Sequence, residues 1–209
     1  MKSIVLRLLT LFAAVVIFPA SAQVDDATAE LLEKLAPIQQ LQGRFIQEQF
    51  DEQGEVLLES AGSFKLLRPV YFKWQIESPD RQLIIADTEF LWHYDMDLET
   101  VTRRPVDDSV EASPLQVLAG DATGLSSSYE VTRATDDSFV LVPTSSTAGF
   151  RELTVHFAED GLSRLDIVDR LGQQIKVTLL DLDDASALTP EAFVFTPPDG
   201  DVDVFYYDN

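Results

Sequence analysis

The chain has 209 residues, with 36 acidic side chains against 15 basic ones, a formal net charge of −21 and no cysteine. The missing cysteine excludes disulfides, thiol catalysis and thiolate metal sites. The acidic excess speaks against nucleic acid and anionic lipid headgroups as partners.

Residues 1–22 have the pattern of a cleaved secretory signal peptide: Lys2 and Arg7, an uncharged apolar run from Leu8 to Phe18, then Pro19 and Ala20-Ser21-Ala22. Cleavage is expected before Gln23, leaving residues 23–209 as one exported domain. Without Lys2 and Arg7 that domain keeps 13 basic against 36 acidic residues, a charge of −23. No later stretch approaches the ~20 apolar residues that a membrane helix needs. With no cysteine at the new N-terminus to carry a lipid, a free protein is expected rather than an anchored one.

Asp25 to Ala36 reads as an amphipathic helix with Leu31, Leu32 and Leu35 on one stripe, continued by Ile38. Pro37 should end or kink it. From Leu41 the apolar period becomes two. Strands are expected over Leu41–Phe50 and Glu55–Leu66, with Val56, Leu58, Phe64 and Leu66 sharing a face, and Gly62 marking a bulge or close backbone approach. Next come Arg68–Ile76, Gln82–Ala86, Phe90–Tyr94 and Thr100–Arg104, with turns at Ser78-Pro79-Asp80 and Asp87-Thr88. On the Arg68–Ile76 strand, Val70, Phe72, Trp74 and Ile76 share one face. A strand reaching back to Arg68 puts a guanidinium on that aromatic face, which is costly without oxygen acceptors. Either Arg68 lies just outside the strand and turns to solvent, or something polar closes over the apolar face.

Ser113 to Gly120 has the marks of a short helix, with Ser113 as N-cap, Pro114 at the first position and Gly120 at the C-cap. Leu115, Val117 and Leu118 form its apolar side. Asp121 to Ser128 reads as a polar loop. Strands resume over Tyr129–Arg133, Phe139–Pro143, Arg151–Phe157, Leu162–Asp169 and Gln173–Leu182. A helical turn is expected at Thr189-Pro190-Glu191, then an acidic tail. The whole is an antiparallel meander of about eleven strands with short helices and no βαβ unit. Either a single curved sheet with helices across its mouth or a two-sheet sandwich would use its 13 Phe, 5 Tyr and 2 Trp.

Little in the sequence points to chemistry. His93 and His156 stand far apart on strands, without a second ligand at metal spacing. G-x-S-x-G, H-E-x-x-H and phosphate-loop motifs are absent. Asp95-x-Asp97-x-Glu99 lacks the turn glycine and terminal acid of a calcium loop. No catalytic residue, metal ligand or cofactor is expected, and the protein is read as a non-enzyme.

Several short motifs taken together carry a resemblance. They are Phe45-x-Gln47, Gly62-x-Phe64, Arg68-Pro69-x-x-Phe72-x-Trp74, Ser78-Pro79-Asp80 and Leu91-Trp92-x-Tyr94 followed by Asp95-x-Asp97-Leu98. Ser113-Pro114-x-x-x-Leu118-Ala119-Gly120 and Phe195-Thr196-Pro197-Pro198-x-Gly200 complete the series. In this order they resemble the outer-membrane lipoprotein carrier family, LolA. The resemblance implies an incomplete eleven-stranded β-barrel with an α-helical lid over a hydrophobic cavity, working as a monomer in the periplasm. It implies acylated lipoproteins as cargo, received from an inner-membrane ABC transporter and passed to an outer-membrane lipoprotein receptor. Arg68 then matches the arginine that locks the lid by bonding its carbonyls. Phe72, Trp74 and Phe64 match the cavity lining, Leu35, Ile38 and Leu41 the N-terminal lid, and Leu115 and Leu118 the second lid. Departures from the family pattern are Asp87-Thr88 in place of Asp-Gly, Gln116 at a lid position and Pro37 within the lid helix. The alternative reading is a periplasmic lipid-sensing regulatory module on the same half-barrel.

Overall fold

The computed structural model describes residues 22–51, 53–106, 122–146, 148–159, 161–200 and 202–207. Helix α1 (Ala22–Leu35) is followed by strands β1 (Gln40–Phe50), β2 (Val56–Leu67), β3 (Tyr71–Ser78), β4 (Gln82–Ala86), β5 (Phe90–Asp95) and β6 (Thr100–Pro105). Helix α2 (Ala122–Ser128) leads into β7 (Tyr129–Thr135), β8 (Ser138–Pro143), β9 (Phe150–Ala158), β10 (Gly161–Asp169) and β11 (Gln174–Asp183). A 3-10 turn (Pro190–Phe193) and β12 (Asp203–Tyr206) close the chain. The strands form one open curved sheet in the order β12-β6-β5-β4-β3-β2-β1-β11-β10-β9-β8-β7. This is the half-barrel expected, with twelve strands rather than eleven.

The additional strand is β12, which lies in the segment read as an acidic tail. It pairs parallel to β6 from Asp203 opposite Thr100 to Tyr206 opposite Arg103. Its four residues, Asp203-Val204-Phe205-Tyr206, are too short and too acid-flanked to register as a strand by period. Aromatic contacts hold it: the Arg103 guanidinium lies 4.1 Å from the Phe90 ring, 4.5 Å from Tyr206 and 5.4 Å from Trp92. The expected polar loop at 121–128 is also corrected. Residues 122–128 are helical, and Leu125 is buried in the main core. Its single apolar anchor among Ser and Thr is too sparse to show a helical period.

The main core lies on the concave side. Leu41 and Phe45 of β1, Phe64 and Leu66 of β2, and Phe72 and Trp74 of β3 join Phe139, Leu141, Leu153, Val155, Leu165 and Val177 from the other half. Helix α1 lies across this face and inserts Leu31 and Leu35, both essentially solvent-free. Burial of each is worth about 1.5–3 kcal/mol. At its other flank the helix meets the edge strand β7, through Arg133 on Glu30 at 2.7 Å, and the β7–β8 turn, through Lys34 on Asp137 at 3.4 Å. It starts three residues earlier than Asp25 and stops before Pro37, which has no N–H to continue it.

A second, smaller core covers the outer face of β3–β5. Leu83 and Ile85 are buried there beneath Phe193, with Tyr71, Tyr94 and Phe195 packed around them. Strand β4 is thus apolar on both faces, with Ile84 and Ala86 on the concave side and Leu83 and Ile85 beneath the C-terminal segment.

Candidate functional site

The concave face is built by register. Leu41 stands opposite Leu66, Leu66 opposite Phe72 and Phe72 opposite Ala86, so one apolar row crosses four strands. Phe64 opposite Trp74 and Trp74 opposite Ile84 form the next row. Phe72 and Trp74 are 0% and 6% exposed. Phe45 stacks on Trp74 with ring centroids 3.5 Å apart and planes 16° from parallel. That stack crosses Gly62, the β2 residue opposite Phe45. A Cβ there would lie 1.9 Å from the Gln75 carbonyl oxygen and 2.9 Å from Phe45 Cζ. The close approach expected at Gly62 is real, and the register with β3 shifts between Ala61 and Gly62.

The residues singled out from sequence as cavity lining and N-terminal lid come together. Leu35, Leu41, Phe64, Phe72 and Trp74 belong to the same buried cluster, and Ile38 packs against it half-buried. Leu115 and Leu118, expected on a second lid, and the helix expected over Ser113–Gly120 lie outside the described residues. Leu31 and Phe45 are the additions. Leu31 was visible on the helical stripe and Phe45 within a motif, but the contact of Phe45 with Trp74 depends on a missing side chain on a neighbouring strand.

The placement of Arg68 differs from the strand reading. Strand β3 begins at Tyr71, and Arg68 lies in the connection after Leu67. Alternation along a strand therefore does not aim its side chain. Of the two alternatives, it lies outside the strand, yet its side chain is half-buried rather than turned fully to solvent. Its N–H donates to the Gln39 carbonyl at 2.9 Å, tying the β2–β3 connection to the segment that follows α1. Burial pushes the pKa of the guanidinium down from its ordinary value, though arginine stays charged in proteins. A cation at the rim of an apolar face is a group that carbonyl oxygens or an anionic headgroup can hold.

The polar motifs have structural work. Asp95 Oδ1 accepts from the N–H groups of Asp97 and Leu98 at 3.1 and 2.9 Å. Asp97 takes the Arg81 N–H at 2.7 Å and the Arg81 guanidinium at 2.9 Å. These bonds, the backbone one foremost, hold the Asp97 carboxyl below its ordinary pKa. This turn carboxylate is satisfied by arginine. Asp87 Oδ1 likewise accepts from Glu89 and Phe90 at 2.8 Å, so the Asp87-Thr88 turn closes without glycine. His93 meets Gln82 at 3.2 Å, and His156 meets Asp166 at 2.7 Å, each between neighbouring strands. No cluster of metal-ligating side chains occurs among the described residues.

The model of the outer membrane lipoprotein carrier protein LolA family matches residues 36–196. The chain belongs to the LolA family. An outer-membrane lipoprotein carrier protein of Alkalilimnicola ehrlichii is 34% identical over 194 residues, covering 92% of this chain and 90% of the relative. One from Pseudomonas aeruginosa is 34% identical over 201 residues, covering 93% and 96%. One from Halorhodospira halophila is 37% identical over 171 residues, covering 82% and 81%. Among solved structures, an uncharacterised conserved protein from Thermus thermophilus shares the fold at a TM-score of 0.51 and 13% identity, covering 85% of this chain and 98% of that one. Within the LolA family match fall the strands of the concave face, Arg68, Phe72 and Trp74; α1 precedes it.

Proposed function

We propose that this protein is a non-enzymatic periplasmic carrier of acylated lipoproteins. It holds their acyl chains against the concave face of the sheet and exchanges them with membrane partners. The observation that carries this reading is the continuous apolar surface of Leu41, Phe64, Leu66, Phe72 and Trp74, covered by the separate helix α1. Each buried CH₂ is worth about 0.8 kcal/mol, so one chain of ~16 carbons carries on the order of 12 kcal/mol. Such a tail does not cross water unshielded, and a rigid core would not release it. Here α1 covers the face and is tied to the sheet edge by two exposed ion pairs, which contribute little each. The helix can therefore exchange its own leucines for acyl chains at modest cost.

The supply by an inner-membrane ABC transporter, delivery to an outer-membrane receptor and removal of residues 1–22 belong to the same proposal. So do the roles of individual residues. Arg68, on the rim, holds the lid carbonyls in the empty state, and Phe72 and Trp74 meet the acyl chains, with Phe64 beneath them. Leu35, Ile38 and Leu41 act on the side of α1, and Leu115 and Leu118 on the second lid. A direct test uses Trp74 as reporter in a Trp92→Phe variant. Titration with a synthetic triacylated lipopeptide is expected to change Trp74 emission and saturate at one equivalent. Unchanged emission at lipopeptide excess would overturn the reading.

A further inference from the structure

The β1–β2 hairpin overhangs the sheet on one side. Strand β1 is paired with β11 as far as Phe50 opposite Gln174. Strand β3 ends at Ser78, opposite Ala61. Among the described residues, no strand pairs with the other edge of Val56–Ser60. An open edge is a row of N–H and C=O groups ready to pair with another chain, which proteins ordinarily blunt with lysine, proline or a cover. This edge carries a bulge and glutamates but also presents Val56, Leu57 and Leu58, 52%, 56% and 41% exposed. A register shift sets Val56 against Phe50, so two residues of β2 oppose one of β1. Phe50 in turn lines a groove of about 570 Å³ with Val168, Gln174 and Lys176 on the outer face.

The charges around this edge specify what fits it. Glu59 stands directly opposite Glu48, an unfavourable cross-strand pair. Glu48 is relieved by Lys176 at 3.6 Å. Among the described residues, Glu59 has no ion pair. Glu55 precedes the edge, and Glu77, held by the Ser63 hydroxyl at 2.9 Å, lies near its end. A second copy of this chain would bring more of the same carboxylates to the edge. A basic strand would neutralise them.

We propose that Val56–Ser60 is a docking edge for an extended segment of a partner protein. The segment adds as a strand, with a basic residue facing Glu59 and apolar residues on either side of it. Backbone hydrogen bonds supply the attachment and the alternating side chains the selectivity. The site does not depend on what the concave face binds.

The test is a backbone amide spectrum of the isotope-labelled chain from Gln23, titrated with capped octapeptides that alternate Lys or Arg with Val, Leu or Ile. A matched panel carries Glu at the basic positions. The expected result is that basic peptides shift the amides of Val56–Ser60 and Phe50 while those of Phe72 and Trp74 stay in place. Leu57→Lys, at an exposed position, is expected to weaken binding roughly tenfold by repelling the basic segment. The proposal is overturned if no basic peptide binds, if the acidic panel binds equally, or if the shifts fall on the concave face. Concentration-dependent shifts of Val56–Ser60 without peptide would overturn it in favour of pairing between copies.

Discussion

A methyl group at Gly62 would lie 1.9 Å from the Gln75 carbonyl oxygen, too close for either strand to keep its place. Gly62→Val should therefore cost about 3 kcal/mol and separate Phe45 from Trp74, visible as a lower unfolding midpoint and a changed near-UV spectrum. At the rim, Arg68→Leu is expected to leave cargo bound and slow its release to an acceptor by tenfold or more. Phe72→Glu should fail at loading, because a carboxylate is expensive against an apolar face. Gel-filtration assays of loaded and transferred lipoprotein separate the two effects, and equal defects in both steps for both variants would refute the division of roles. Asp183 gives a pH signature. Hydrogen bonds from Ser186, then Gln42, push its pKa from 3.8 down to about 2. A depressed folded-state pKa contributes stability above the unfolded value and loses it as pH falls through the folded one. The midpoint difference between the wild type and Asp183→Asn should stay constant at neutral pH and vanish between about pH 4 and 2, as thermal melts would record.

In the proposed function the moving part is helix α1, which meets β7 and the β7–β8 turn through ion pairs at the surface. Replacing Lys34 and Asp137 by cysteine in this cysteine-free chain and joining them with a short thiol cross-linker should fix α1 over the concave face. The joined protein is expected to take up no acylated peptide, and cleavage of the linker to restore uptake. Uptake by the joined protein would mean that α1 is no lid. Elements with a strong period were legible in the sequence: β1, β2, β4 and β9–β11 lie within one or two residues of expectation, because each buries alternate side chains. Elements held by single contacts were not. Helix α2 rests on Leu125 among small polar residues, and β12 on an aromatic sandwich around Arg103, which comes from distant strands. The direction of the Arg68 side chain was not legible for a related reason, since alternation says nothing outside a strand.

Across the whole molecule, Leu35, Leu41, Phe64, Phe72 and Trp74, which the sequence suggested for the site, fall in one cluster with Ile38 against it, because strand parity and helical stripe both hold there. The second core beneath Phe193 was not legible, since β4 is apolar on both sides and period alone does not say what covers each. The surface charge of −21 for the full chain gives a further expectation. Attraction to basic partner surfaces is screened over about 10 Å at 0.1 M salt. Transfer between membranes and carrier should thus slow several-fold from 50 to 500 mM NaCl, whereas binding of a neutral acylated peptide should not weaken. The measurement nearest the central claim mixes the chain from Gln23 with inner-membrane spheroplasts that display a labelled triacylated lipoprotein and the cognate transporter. The account predicts release of that lipoprotein into a soluble one-to-one complex with this protein. Lipoprotein that stays in the membrane, beside folded carrier and active transporter, would contradict it.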